Sequence, residues 1–417
     1  MENIEKITLP NGVRLLFEEI PHVRSAAVGI WVGSGSRHEP AHLSGVSHAI
    51  EHMVFKGTRT RSAAQIAAEM DAIGGQVNAF TTKECTCFYV RALDTHLPQA
   101  LDVLTDIFFE PSLGEGDWET ERGVILEEID MYEDTPEDLV SERLFAAAYR
   151  GCPLGRPILG TPGVLRRLRA ERLRAYMREN YRPDRIVVAI SGRFAARDRA
   201  FLLARFAALT PSSGLDTETA AFAPAFTARH KDIEQNHLCL AFPALAYNHP
   251  ARHAQQVLSG ILGGGMSSRL FQTVREQRGL CYSIYSFSVG HEDTGLFCLY
   301  TALSRETERE ALRLIADIVR QFADEGPTRE ETERAREQVK ANVLMGMEST
   351  SSRMNHLGRN ELLLEAIPSP EEIMACYDAV TPEIVRDLAG QLFDFSRLCF
   401  SAVGRTVHTA QYRRALQ

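Results

Sequence analysis

The chain has 417 residues, which is too long for one ordinary hydrophobic core, so we expect at least two domains. Its hydrophobic fraction of 44% and its charged fraction of 24% are typical of a globular protein and exclude an intrinsically disordered one. A net charge of −9 argues against general nucleic-acid binding, and the sequence has no run of about 18 apolar residues that could span a membrane.

The N-terminus and the cysteines indicate the compartment. Residues 1–6 are polar and acidic, without the apolar stretch of a secretory signal. The eight cysteines are scattered through mostly apolar segments, without paired spacings typical of a metal site or a disulfide framework. We therefore expect reduced cysteines in the core of a cytoplasmic protein.

The first half of the sequence predicts strands at its start and then a series of helices with further strands between them. The turn residues Asn11-Gly12 predict a hairpin, a strand is predicted at 26–32, and the next helix contains His48. The periodicity then predicts, in order, a helix at 62–73, strands at 76–80 and 86–92, helices at 96–109 and 116–132, a helix at 168–180 and a strand at 185–193.

Parts of this half recur 212 residues later. The tetrapeptide at 119–122 recurs at 331–334, and the strand at 185–193 has a similar counterpart at 397–405. Two matches in one register, within the same order of elements, indicate an internal duplication.

A polar segment rich in Pro, Gly and Ser separates the two halves and predicts a linker. We predict domains at 1–210 and 226–417, joined by a linker at 211–225. Each domain should be α+β, with a largely antiparallel sheet flanked by helices.

The His48 helix carries a candidate metal motif of the form H-x-x-E-H. His48 and His52 lie four residues apart, which puts both imidazoles on one face of a helix. Glu51 is placed to hydrogen-bond a water on the metal rather than to bind the metal itself. The alternative is a pair of structural histidines. The corresponding segment of the second half, 262–271, contains no His and no Glu, so we expect the metal only in the first half.

A third ligand should be a carboxylate on another helix. The predicted helix at 116–132 offers four candidates: Glu119, Glu121, Glu127 and Glu128. Glu121 and Glu128 share a stripe with Val124 and Ile125, which mark it as the buried one. A buried carboxylate is costly unless it is paired or binds a metal. We therefore predict Glu128 as the ligand and Glu121 as its supporting neighbour; the alternative is a solvated glutamate.

With a glutamate 76 residues after the second histidine, this motif resembles the pitrilysin/insulinase family of inverted zinc metallopeptidases. The likeness is greatest to the β subunit of mitochondrial processing peptidase and its single-chain bacterial relatives. It covers essentially the whole chain, including 74–81, 132–138 and 263–282. The resemblance implies one Zn²⁺ per chain, with the following residues in its site: His48, His52 and Glu128 as ligands, Glu51 as general base, and Glu121 as a supporting acid.

The resemblance also implies roles for residues outside the motif. Arg275 and Tyr282, seven residues apart in the second half, would hold the substrate backbone and the oxyanion. Asn78, Ala79 and Phe80 would lie on an edge strand to which a substrate adds as a further strand.

The expected protein is a zinc endopeptidase whose two domains form a clam-like chamber around unfolded peptides. Because one chain carries both the zinc motif and the Arg/Tyr pair, the resemblance favours a homodimer over a heterodimer with a related subunit. We expect no nucleic-acid or membrane partner. The alternatives are a non-catalytic structural or binding member of the same fold and a zinc hydrolase of small amides.

Overall fold

The computed structural model describes residues 4–211 and 217–416, which form two compact units. Unit 1 consists of Met1–Asp130, Arg156–Glu218 and Met345–Ile367. Unit 2 consists of Met131–Gly155, Thr219–Leu344 and Pro368–Gln417. The units therefore do not follow the predicted domains at 1–210 and 226–417, because each takes one segment from the other half of the sequence. The predicted linker at 211–225 lies partly outside the described residues.

The predicted elements of the first half are present, with ends shifted by a few residues, and three helices that the sequence did not predict, which begin at residues 136, 162 and 196, join them. In order they are β1 (Ile4–Thr8), β2 (Arg14–Glu19), β3 (Ser25–Val32), α1 (Val46–Met53), α2 (Ala63–Ala72), β4 (Gln76–Thr81), β5 (Thr86–Leu93), α3 (Leu97–Phe109), α4 (Glu115–Asp134), α5 (Pro136–Ala148), α6 (Pro162–Leu165), α7 (Ala170–Asn180), β6 (Ile186–Gly192) and α8 (Ala196–Ala207).

The second half repeats most of this series. Its elements are β7 (Phe226–His230), β8 (Asn236–Ala244), α9 (Arg252–Gly263), a π-helical turn (Phe271–Gln277), β9 (Cys281–Gly290), β10 (Gly295–Leu303), α10 (Glu308–Glu325), α11 (Arg329–Gly346), α12 (Thr350–Leu364), α13 (Pro370–Asp378), α14 (Pro382–Leu392), β11 (Cys399–Gly404) and α15 (Thr409–Leu416).

Strands β2 to β6 of one sheet and β7 to β11 of the other have the same topology. The sheet of unit 1 has the order β1-β2-β6-β3-β5-β4, and the sheet of unit 2 has the order β7-β11-β8-β10-β9. Only the pairs β2–β6 and β7–β11 are parallel; the remaining pairs are antiparallel. Each strand from β2 to β6 has its counterpart at the same place in the second sheet. The predicted α+β class and the internal duplication are confirmed.

One helix of each unit comes from the other half of the sequence. In unit 1, Met354 and Leu357 of α12 share a core cluster with Trp31 on the sheet face opposite α1. Gly358 permits this close approach, because a Cβ at that position would lie 2.1 Å from the indole nitrogen of Trp31. In unit 2, Leu144 of α5 is buried in the equivalent position, with strands β8, β10 and β11. Each sheet is thus covered on both faces.

All eight cysteines are free, and six of them are buried, as expected for reduced core residues. Within 4–211 and 217–416, we find no helix that combines the length and the apolar character needed to cross a membrane.

Candidate metal centre

The helix that carries the H-x-x-E-H motif has a fixed beginning. Gly45 precedes α1 with φ of 95°, a left-handed conformation that favours glycine. The two carboxylate oxygens of Glu39 accept hydrogen bonds from the backbone N–H groups of Gly45, at 2.6 Å, and Ser47, at 2.8 Å. Glu39 therefore pairs two N–H groups that the helix itself leaves free. Burial raises the pKa of its carboxyl to about 7, and these two hydrogen bonds oppose the shift.

Three predicted ligands converge beside this helix. The Oε2 atom of Glu128 lies 3.6 Å from Nε2 of His48 and 3.5 Å from Nε2 of His52. Zn–N bonds of about 2.0–2.1 Å and Zn–O bonds of about 2.0–2.2 Å at tetrahedral angles separate ligand atoms by about 3.4 Å. The distances therefore fit a zinc ion held by these three residues. Among the described residues, this is the one group of three His, Cys, Asp or Glu side chains close enough to bind a metal.

The protonation of His48 suits a ligand. Burial, together with the neighbouring His52, lowers the pKa of His48 to about 3. Its imidazole is therefore neutral at physiological pH, and the neutral form is the one that binds a metal.

The predicted general base, Glu51, lies against the edge strand β4. The hydroxyl of Thr81, the last residue of β4, donates a hydrogen bond of 2.6 Å to Oε2 of Glu51. Burial raises the pKa of the Glu51 carboxyl, and the bond from Thr81 opposes this shift. A raised pKa brings a carboxylate closer to the range in which it exchanges protons efficiently near neutral pH.

Glu121 contacts one of the ligands directly. Its Oε1 atom lies 2.8 Å from Nδ1 of His52, and its Oε2 atom lies 2.6 Å from the ammonium nitrogen of Lys56. A carboxylate on the second ring nitrogen of a histidine ligand orients the ring in many zinc sites. Glu121 is thus in position for the supporting role predicted for it.

The buried stripe of α4 was predicted with one error. Ile125 and Glu121 are buried, but Val124, which was taken to mark the same stripe, is 49% exposed. The buried side of α4 is displaced away from Val124, toward residues 126 and 129, whose side chains pack against the core. Glu127 is exposed while Glu128 is partly buried, so the choice between these two glutamates agrees with the structure.

The predicted substrate strand lies at the edge of its sheet, because β4 is the last strand in the order. The N–H group of Ala79 donates to the side-chain oxygen of Asn78 at 2.8 Å. Ala79 packs with the core cluster that includes α1, whereas the ring of Phe80 makes an edge-to-face contact with Trp31 at 5.4 Å. Successive residues of a strand face opposite sides, so Phe80 points away from the face that carries α1.

Arg275 and Tyr282 belong to unit 2 and lie together there. Arg275 is in the π-helical turn, and its guanidinium lies 4.8 Å from the ring centre of Tyr282 and 4.5 Å from that of Phe271. Tyr282 follows at the start of β9, the edge strand of the second sheet, and is 76% exposed. The pair that the family resemblance implies is thus in direct contact within unit 2.

Sequence reasoning missed three residues around the centre: Glu39, Lys56 and Thr81. Lys56 follows His52 by four residues, a spacing that could have indicated a shared helix face. An acidic residue ahead of a helix start could have indicated Glu39 as a cap. The contact between Thr81 and Glu51 joins residues 30 apart in the sequence and carries no local signal.

Family models and relatives of known name match most of this chain. The family model described as Insulinase (Peptidase family M16) matches residues 14–162, and the model described as Peptidase M16 inactive domain matches 167–339. A Bacillus subtilis protein named uncharacterized zinc protease YmxG is 42% identical over 94% of this chain and 96% of its own length. A Streptomyces coelicolor protein, also named an uncharacterized zinc protease, is 41% identical over 93% of this chain and 86% of its own length.

Solved structures share the fold at lower identity. A crystal structure of a peptidase M16 inactive domain from Pseudomonas fluorescens has a TM-score of 0.89 at 20% identity, covering 98% of this chain and 99% of its own. A chain of complex III2 from Candida albicans has a TM-score of 0.85 at 18% identity, covering 99% of this chain and 100% of its own. At these identities the likeness concerns the fold alone.

Proposed function

Since the chain belongs to the insulinase family of peptidases, peptidase family M16, we propose that it is a zinc-dependent endopeptidase. The observation that carries the proposal is the convergence of His48, His52 and Glu128, whose ligand atoms lie within 4.8 Å of one another. Glu51 follows His48 on the same helix, as a base acting beside such a metal must. The zinc proteases named among the relatives support the choice of metal.

Each residue then has a defined task. A zinc ion held by the three ligands would act as a Lewis acid that polarises the peptide carbonyl and makes a neighbouring water more acidic. Glu51 removes a proton from that water and later returns it to the leaving amine. Thr81 holds the Glu51 carboxylate in place through the hydrogen bond from its hydroxyl to Oε2.

The handling of the substrate is proposed from the family resemblance. Arg275 would hold the substrate backbone and Tyr282 the oxyanion, and the substrate would add as a strand to β4 beside Asn78 and Ala79. The side chain of Phe80 would support β4 from the Trp31 side. We propose unfolded peptides enclosed in a chamber as the substrates, a homodimer as the assembly and the cytoplasm as the location.

Replacement of Glu51 by Gln tests the chemistry directly. The amide cannot accept the proton, so cleavage of a mixed peptide library should fall by at least about 100-fold, the lower range for general acid–base catalysis. Metal analysis should still find one zinc per chain, because Glu51 is not a ligand. The matched control is Glu127→Gln, the same change at an exposed position of α4.

The outcomes separate the proposal from its alternatives. Unchanged cleavage by Glu51→Gln would refute the role of Glu51 as base. Zinc-loaded wild-type protein that cleaves no member of the library would favour a non-catalytic binding or structural member of the family. Cleavage of small amides without cleavage of peptides would favour the second alternative.

A further inference from the structure

A lysine completes a chain of contacts that begins at a metal ligand. Lys56 ends the short 3₁₀ turn Val54–Lys56, which continues α1. Its ammonium nitrogen lies 2.6 Å from Oε2 of Glu121, and Oε1 of Glu121 lies 2.8 Å from Nδ1 of His52. Both oxygens of the carboxylate are therefore occupied, one by a cation and one by the ring of a ligand.

Because Glu121 is buried, its carboxylate needs a neighbouring positive charge such as that of Lys56. The side chain of Glu121 is only 6% exposed, whereas that of Lys56 is 37% exposed. A buried carboxylate is costly unless an opposite charge pairs with it, and a half-solvated ammonium can provide that charge at little desolvation cost. The pairing also fixes the plane of the carboxylate, because hydrogen bonds between charged groups are short and strong.

We propose that Lys56 is a positioning residue of the metal centre, which sets zinc affinity by holding Glu121 in the orientation that presents Nε2 of His52 to the metal. This inference rests on the zinc site of the proposed function and adds a residue that is neither a ligand nor in contact with one. The nearby Arg59 does not share the task, since it pairs with Glu110 at 3.3 Å and its side chain is 75% exposed.

Zinc affinity of the full chain tests the inference without reference to cleavage. The dissociation constant for zinc is measured at fixed pH by competition with a chromophoric chelator. Lys56→Met keeps the length and apolar stem of the side chain but removes the charge. We expect it to weaken zinc binding by about 10–100-fold, the usual loss when a partner of a metal ligand is removed. Lys56→Arg keeps the charge and should recover most of the affinity.

Two controls distinguish positioning from general damage. Arg59→Met removes a cation from the same loop and should bind zinc within about twofold of the wild type, because it has no link to a ligand. Glu121→Gln should weaken binding by itself, and adding Lys56→Met to it should change little further, because residues that act through one another are not additive.

The results discriminate between this inference and the proposed function. Wild-type protein that binds no zinc would overturn the proposed function. Tight zinc binding by the wild type with equal affinity in Lys56→Met would overturn only the role of Lys56. Fully additive losses in the double variant would also overturn it, since Lys56 would then act independently of Glu121. If Lys56→Met does not fold, Lys56→Gln and Lys56→Arg provide the same comparison of charge.

Discussion

The two units share their strand order, but they differ at the positions that form the candidate metal centre. On α4 of unit 1, Glu121 and Glu128 face two histidines. Positions 212 residues later on α11 carry Glu333 and Lys340. Glu333 pairs with Arg329 at 2.7 Å on the exposed side of its helix, and Lys340 pairs with Asp378 at 2.8 Å. An ammonium has no lone pair for a metal, so the same fold carries the candidate centre in one unit and a surface ion pair at the corresponding place in the other.

The histidines show the same contrast. His48 in unit 1 has a second histidine and a carboxylate beside it. His253 on α9 is the buried histidine of the corresponding region of unit 2, and its ring packs edge-to-face on Tyr377 at 5.0 Å. Burial lowers the pKa of both, to about 3 for His48 and about 4 for His253. A neutral buried imidazole is thus common to both units, and the convergence of three ligands is what distinguishes unit 1.

The largest effect on zinc binding is expected when the residue at position 128 of unit 1 is replaced by the residue at the corresponding position of unit 2. Glu128→Lys replaces a ligand by the side chain found at 340, and zinc affinity should fall by more than about 100-fold, since loss of a mere partner of a ligand costs about 10–100-fold. Chelator competition measures the affinity, and peptide cleavage should disappear with it. Glu127→Lys makes the same charge change at an exposed neighbour and should retain both. Retention of zinc by Glu128→Lys would remove Glu128 from the ligand set.

The next largest effect is expected on stability, from truncating core side chains of α5 and α12, the helices that come from the other half of the sequence. Leu357 of α12 and Leu144 of α5 are buried under the two sheets, at 1% and 0% exposure. Truncating either to Ala should lower the free energy of unfolding by about 2–5 kcal/mol, through lost burial and the cavity left behind. Denaturant unfolding measures this change. The control is Leu344→Ala on α11, which is 48% exposed and should change the free energy by less than about 0.5 kcal/mol. Equal effects in the core and control variants would contradict the packing described for α5 and α12.

The residues of the candidate metal centre and the helices α5 and α12 differ in how far they could be predicted from the sequence. His48, His52 and Glu51 are local in sequence, and helical periodicity selected Glu128, so the residues that the structure brings together could be proposed from their spacing. Periodicity also led to the wrong assignment of Val124, because it gives the relative directions of side chains but not the side of the helix that the core covers.

The exchange of α5 and α12 was beyond sequence reasoning for a different reason. An amphipathic helix needs an apolar partner surface, but the two duplicated sheets offer similar ones, as Trp31 and Cys87 in unit 1 and Cys239 and Ala241 in unit 2 illustrate. Nothing in the periodicity of a helix states which sheet it covers. The contacts of Thr81 and Glu39 with α1 depend in the same way on tertiary structure.

The smallest expected effect concerns His253, which is buried outside the candidate metal centre. Desolvation, with a smaller contribution from Arg252, lowers the pKa of His253 from 6.5 to about 4. The unfolded chain therefore takes up a proton on this residue near pH 6.5, whereas the folded chain does so only near pH 4. The stability associated with His253 is present above pH 6.5 and is lost as the pH falls toward 4.

Removing the titrating group should remove this part of the acid sensitivity. In metal-free protein, His253→Gln should lose less free energy of unfolding than the wild type between pH 6.5 and 4, by on the order of 2 kcal/mol. Denaturant unfolding at several pH values measures the difference, and His408→Gln, at an exposed position of the same unit, should follow the wild-type curve. Identical curves for His253→Gln and the wild type would mean that His253 is protonated as easily in the folded chain as in the unfolded one. The pKa of His253 would then not be lowered by folding, and the likeness to His48 would fail. A difference of the expected sign would establish that His253 is neutral in folded unit 2 at pH values above its lowered pKa.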